Sequence, residues 1–92
     1  MSEYITLDVE DTEDPQTVVI KTNLLLAPDG PEHYDDRVSG EHGSPLAQTI
    51  FAIAGVQALT LEENDMIITF SPETELFVLV DELDAALKDF FL

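Results

Sequence analysis

Hydrophobic and polar residues alternate along the first quarter of the chain. In the segment Tyr4–Glu10, Ile5, Leu7 and Val9 are separated by polar residues, and this period of two predicts a strand with one buried face. A turn with Pro15 follows. The alternating, β-branched run Thr17–Leu26 then predicts a second strand that pairs antiparallel with the first.

Two later segments have the three-to-four-residue apolar spacing of amphipathic helices. One begins at Ser44-Pro45, a capping residue followed by proline in the first turn, and Gly55 is a candidate for the left-handed residue that ends it. The other follows Ser71-Pro72, which is again a capping residue followed by proline. Its predicted buried stripe consists of Leu76, Val80, Leu83, Leu87 and Phe90.

The remaining segments complete a strand-rich order. Val56–Glu62 and Met66–Ser71 flank a polar turn and predict a hairpin, whereas Ala27–Gly43 predicts a long loop with a short strand around His33–Val38. No strand pair is bridged by a helix in a repeated manner. The sequence therefore predicts one domain over residues 1–92 of the α+β class: a two-layer structure in which two helices cover one face of a mostly antiparallel sheet of four or five strands.

The charge of the chain restricts its partners. Twenty acidic residues against three basic ones give a net charge of −17. Such a surface repels nucleic acid and anionic lipid, so we expect no direct binding to either. Three interpretations stay open: a solvated surface suited to a high-salt cytoplasm, an acidic face for a basic partner, and a nucleic-acid mimic. In each, self-repulsion lowers stability at low salt.

Several classes of chemistry have no support in the sequence. The chain contains no cysteine, which excludes disulfides, thiolate nucleophiles and metal sites built from its own thiolates. We find no catalytic constellation, no phosphate-binding loop and no secretory signal, so we expect a cytoplasmic, non-enzymatic protein without a cofactor.

Two histidines are the candidate metal ligands. His33 and His42 lie nine residues apart in the acidic segment Ala27–Gly43, where imidazole and carboxylate groups are available to zinc or iron. Their spacing matches no metal motif. Solvated loop histidines are the simpler interpretation.

The chain ends in a cluster of large apolar residues, Phe90-Phe91-Leu92. The simpler expectation is that Phe90 and one neighbour pack beneath the sheet. The alternative is a partly exposed aromatic end that docks to a partner or to a second copy. Phe77 and Leu79 lie off the predicted stripe of the same helix and widen its apolar surface.

One region has residues at defined spacing that point to a family. Between Gly43 and Thr69 the chain reads Ser44-Pro45-Leu46-Ala47, Phe51, Ile53, Gly55-Val56 and Asp65-x-Ile67-x-Thr69. This region resembles the N-terminal domain of the Nfu/NifU-type iron–sulfur scaffold proteins. Relative to the family pattern, Ile50 replaces a leucine.

The resemblance implies a small α/β module that helps such scaffolds contact other proteins. In the family, a separate domain holds the cluster through a Cys-x-x-Cys pair, and this chain has no cysteine to do so. We expect the partner-binding face at the rim formed by Ser44, Pro45, Gln48 and Asp65, in a monomer or weak homodimer.

Three hypotheses of function follow. The first is a non-enzymatic interaction module accessory to iron–sulfur cluster assembly or transfer, with assembly or client proteins as partners. The second is an acidic decoy for a basic, nucleic-acid-binding protein. The third is a metal-binding protein that uses His33, His42 and nearby carboxylates.

Overall fold

The computed structural model describes residues 5–92 and shows an antiparallel sheet of five strands with three helices. The strands are β1 (Leu7–Asp11), β2 (Thr17–Thr22), β3 (Glu32–Tyr34), β4 (Val56–Leu61) and β5 (Asp65–Phe70). The helices are α1 (Arg37–Glu41), α2 (Pro45–Phe51) and α3 (Leu76–Phe91). The predicted α+β class is confirmed, with one helix more than the sequence predicted. Tyr4, assigned by its pattern to the first strand, lies outside the described residues.

The strands are ordered β1-β2-β5-β4-β3, and every neighbouring pair is antiparallel. Because side chains alternate along a strand, one face of the three central strands supplies the core. The buried residues of these strands are Val18, Ile20, Val56, Leu59, Leu61, Met66, Ile68 and Phe70. Among residues 5–92, no polar or charged side chain is buried.

Helix α3 packs onto this core through a stripe that differs from the predicted one. Leu79, Leu83 and Leu87 are the buried residues of the helix, at spacings of four and four. Leu79, expected off the stripe, is fully buried, whereas Phe90, expected on it, is 42% exposed. Leu83 and Leu87 are buried as predicted, and the helix is turned so that its continuous row of leucines faces the core. Leu76 and Val80 lie towards β1 and are half-buried.

The segment predicted as a long loop with a short strand around His33–Val38 does contain a strand, β3, which ends at Tyr34. It also contains helix α1, which the sequence pattern did not predict. Helix α1 begins with a capping box: the Ser39 backbone N–H donates to Asp36 Oδ1 at 2.8 Å, and Ser39 Oγ is in reach of the Asp36 backbone N–H. Arg37 fixes this helix to the sheet, since its Nη1 donates to the Val56 carbonyl at 3.2 Å. With only five residues, α1 is too short to show a helical period.

Two predicted helix boundaries also differ. Helix α2 ends at Phe51, with Ala52 as its C-cap, so Gly55 does not terminate it. Gly55 has the expected positive φ, at 95°, but it serves the turn into β4. Ser71-Pro72 does not cap α3: the Ser71 backbone carbonyl and hydroxyl accept from Thr74 and Glu73 in a separate turn, and α3 begins at Leu76.

None of the helices within residues 5–92 combines the length and the apolar character that crossing a bilayer requires.

Helices α1 and α2 approach each other closely at Gly40. A Cβ atom added there would overlap the ring of Phe51, which is buried. We predict that Gly40→Ala lowers the free energy of unfolding by about 1 kcal/mol, because an overpacking cost of about 2 kcal/mol exceeds the gain of about 1 kcal/mol in helix propensity. Denaturant unfolding measures this change. Val38→Ala, on the exposed side of α1, is the control, and an equal effect of both would contradict the prediction.

The cap of α1 makes stability depend on pH. The pKa of Asp36 is lowered, first by the hydrogen bond from the Ser39 backbone and then by that from the Ser39 side chain. A lowered folded-state pKa contributes stability above its ordinary value of 3.8, and this contribution is lost as the pH falls through the folded-state value. We therefore expect Asp36→Ala to lower the melting temperature at neutral pH and to have a smaller effect at about pH 3.

Thermal melts of both proteins across this range measure the difference. Glu41→Ala, which removes an acid from the same helix and leaves the cap intact, is the matched control. A destabilisation by Asp36→Ala that is the same at acidic and neutral pH would contradict the role of its carboxylate.

Salt provides a second test of electrostatics. Three cations neutralise at most three of twenty acids, so the folded chain repels itself at low ionic strength. Raising NaCl from about 0.01 M to about 1 M shortens the screening length from about 30 Å to about 3 Å. We expect a stabilisation on the order of 1 kcal/mol, which raises the melting temperature by about 4–8 °C. A melting temperature that does not rise would contradict this expectation.

Candidate functional site

The start of α2 is held in place by a short chain of hydrogen bonds. Ser44 is the N-cap, and its hydroxyl accepts from the Ala47 backbone N–H at 3.2 Å. The Ser44 backbone N–H donates to the Tyr34 hydroxyl at 3.2 Å, and that hydroxyl donates to Glu32. Strand β3 therefore holds the start of α2 in place through the Tyr34 hydroxyl.

Tyr34 is itself fixed by packing. Its ring meets that of Phe51 edge to face at 6.2 Å between centroids. A Cβ at Gly43 would lie 2.5 Å from the Tyr34 ring, so any larger residue before the cap would force that ring to shift. The predicted capping role of Ser44 has this geometric basis.

An apolar groove lies beside the start of α2, and we call it the end groove. It has a volume of about 270 Å³. Its walls come from the segment after β2, the start of α2 and the end of α3. They are formed by Leu25, Leu26, Pro28, Asp29, Glu32, Ser44, Pro45, Leu46, Phe90 and Phe91.

Two side chains leave large apolar surfaces exposed at this groove. Leu25 is 55% exposed and Phe90 is 42% exposed. Phe90 packs edge to face on Phe91 at 5.0 Å, while Phe91 reaches the core. The aromatic end of the chain is thus divided: Phe91 is partly buried against the core, whereas Phe90 and Leu92 remain accessible, so the expectation that Phe90 packs beneath the sheet is wrong.

The strand predicted over Thr17–Leu26 ends at Thr22, and this change of direction presents Leu25 to the solvent. The Leu24 carbonyl accepts from Asn64 Nδ2, and the Leu26 backbone N–H donates to the Glu63 carbonyl, both at 2.8 Å. The hairpin between β4 and β5 therefore holds the segment. Sequence reasoning missed Leu25, although a leucine on the outward face of that run was a visible signal.

The structure brings together only part of the predicted rim. Ser44 and Pro45 line the end groove, and Gln48 lies one turn further along α2, where its side chain donates to the Gly43 carbonyl at 3.0 Å. Asp65 begins β5, whose Met66, Ile68 and Phe70 face the helices. By alternation Asp65 points to the opposite face of the sheet, because consecutive strand residues face opposite sides. That these four residues bind a partner stays a prediction.

The two histidines occupy different elements. His33 lies on β3, where Nδ1 is 2.7 Å from Thr60 Oγ1 and Nε2 contacts the carboxylate of Asp35. His42 is the C-cap of α1. Within residues 5–92, no group of three or more histidine, aspartate or glutamate side chains is arranged to hold a metal ion.

Sequence comparison finds no match among protein-family models and none among curated proteins. Comparison of structures does find similar folds. A NifU-like protein from Saccharomyces cerevisiae superposes with a TM-score of 0.73 and 16% identity, over 94% of this chain and 77% of that one. The crystal structure of protein SAV1430 from Staphylococcus aureus gives 0.70 and 10% identity, over 92% and 99% of the two chains.

The solution structure of SAV1430 is also similar, with a TM-score of 0.60 and 13% identity, over 88% of this chain and 87% of that one. At such low identity these likenesses establish the fold and nothing further. The chain therefore shares its fold with a NifU-like protein, and its resemblance to the Nfu/NifU N-terminal domain is confirmed at that level.

Proposed function

We propose that this protein is a non-enzymatic interaction module accessory to iron–sulfur cluster assembly or transfer. Two findings support the link to iron–sulfur proteins. The fold is shared with a NifU-like protein, and the spacing of Ser44-Pro45, Phe51 and Asp65 resembles the Nfu/NifU N-terminal domain.

The end groove is the observation that carries the proposal of an interaction module. It places the exposed side chains of Leu25 and Phe90 beside Pro45, so that three apolar surfaces face the solvent together. Contiguous apolar surface at a rigid, polar-rimmed position is typical of a protein contact site. Asp29 and Glu32 supply that rim.

The polar groups of the groove serve the structure. Ser44 is engaged as a helix cap, and Tyr34 joins Ser44 to Glu32. The Ser44 hydroxyl accepts from the first turn of α2, and a hydroxyl engaged in this way is a poor candidate for a nucleophile. This arrangement supports recognition rather than catalysis.

In this proposal the cluster is the cargo of the partner. The chain has no cysteine, so thiolate ligands must come from a scaffold, carrier or client protein. The module would contribute contact surface and orientation to such a protein.

Titration calorimetry with purified iron–sulfur scaffold, carrier and client proteins tests the proposal. We expect at least one of them to bind, and we expect the double variant Leu25→Ser/Phe90→Ser to weaken that binding at least tenfold, because both side chains lose apolar contact area. Val38→Ser is the matched control: Val38 is 66% exposed on α1 and does not line the groove.

A lack of binding to every such protein would overturn the proposal. Equal losses from the double variant and from Val38→Ser would instead show that the end groove is not the contact surface. Circular dichroism of each variant confirms that the fold is retained.

The acidic surface favours one alternative, a decoy for a basic nucleic-acid-binding protein. Its support is the net charge of −17. A decoy would bind basic proteins through many exposed carboxylates, so its affinity would fall steeply with salt and would not respond to the loss of Leu25 and Phe90.

A further inference from the structure

A second apolar groove lies at the opposite edge of the sheet, between β1 and α3. We call it the edge groove, and its volume is about 720 Å³. Leu7 and Val9 of β1 form one wall, and Leu76, Phe77 and Val80 of α3 form the other. Asp81 and Asp84 border it.

The helices cover the inner face of β1 less completely than that of the neighbouring strand β2. On the neighbouring strand, Val18 and Ile20 are buried, whereas Leu7 and Val9 on the edge strand are only half-buried. Helices α1 and α2 pack towards β3 and β4, at the other side of the sheet. The inner face of β1 is therefore left beside the flank of α3.

Phe77 marks this surface most clearly. It is 72% exposed, the highest value among the large hydrophobic residues that the structure describes. Together with Leu76 and Val80 it extends the apolar side of α3 beyond the buried leucine stripe. A large aromatic ring beside two half-buried aliphatic residues is the kind of anchor that dominates binding energy at interfaces.

We infer that the edge groove docks an amphipathic, basic helix supplied by a partner protein. This inference goes beyond the proposed function, because it concerns a second contact surface and does not require that the protein bound at the end groove also supply the helix.

The position of the groove, beside α3 and over β1, favours a helix as the occupant. Neighbouring helices pack about 8–10 Å apart, so a helix beside α3 would lie over β1 and complete the helix layer. Addition of a strand to β1 is disfavoured, because that edge carries Asp8, Glu10 and Asp11, and charged side chains protect exposed edges.

The charge around the groove favours a basic occupant. Asp81 is exposed at the border, and Asp84 lies beside it with its partner Lys88 at 2.8 Å. Asp11 of β1 lines an adjoining pocket that shares Leu76 with the edge groove. A second copy of this chain is a poor occupant, because two molecules that each carry −17 repel one another.

A peptide library tests the inference without any iron–sulfur protein. Helical peptides of about 16 residues, about 24 Å long, carry apolar residues on one face and Lys, Glu or Ser at the polar positions. Selection against the full chain is expected to enrich lysine-rich sequences. The strongest binder then serves as the probe for titration of the variants.

Phe77→Ser is expected to weaken binding of this probe at least tenfold. Val78→Ser is the matched control, since Val78 is the next residue of α3, is 41% exposed and does not line the groove. Asp81→Asn is expected to weaken binding more than Glu82→Gln, which removes the same charge one residue away. Amide chemical shifts of the complex are expected to change at Leu7, Val9 and Val80.

The inference would be overturned by the absence of a selected binder, by enrichment of acidic sequences, by equal effects of Phe77→Ser and Val78→Ser, or by chemical-shift changes confined to the other face of the sheet. A concentration-dependent homodimer that is lost in Phe77→Ser would also overturn it, in favour of a second copy. Failure here would leave the binding of scaffold proteins at the end groove untouched, so the two proposals are tested separately.

Discussion

The structure depends on one packing contact, between a row of leucines on α3 and the inner face of the central strands. Leu79, Leu83 and Leu87 are fully buried, as are Ile20 and Ile68 on the sheet. Each large side chain removed from water contributes on the order of 1.5–3 kcal/mol, which is a large share of the net stability of a small domain. Residues of α3 that lie outside this contact stay exposed at the grooves, among them Phe77 and Phe90.

The core also explains how a chain with such an excess of acid folds. No polar or charged side chain among residues 5–92 is buried, so the carboxylates keep their hydration and repel one another only through solvent. The three cations act locally: Lys21 lies 3.6 Å from Glu10, Lys88 lies 2.8 Å from Asp84, and Arg37 bonds a backbone carbonyl. Stability therefore comes from apolar packing, and charge governs which partners can approach.

The two grooves have different physical origins. At the end groove, the chain leaves the sheet after Thr22 and exposes Leu25. At the edge groove, Leu7 and Val9 on the inner face of β1 lie beside the flank of α3 and stay half-buried. At one margin Leu25 and Phe90 are left exposed, and at the other Phe77 is. Carboxylates lie at both grooves: Asp29 and Glu32 at the end groove, and Asp81 and Asp84 at the edge groove. The protein thus presents apolar contact surfaces within a field that favours basic partners.

The sequence by itself determined the α+β class, the strand alternation and the cap at Ser44, because these depend on residues close together in the chain. It also carried the resemblance to the Nfu/NifU domain. Only the tertiary structure decided that Leu79 and not Phe90 is buried, that Asp65 lies across the sheet from Ser44, and that Leu25 joins Phe90 in one groove. Those outcomes follow from the rotation of α3 and from long-range strand pairing, which local patterns do not specify.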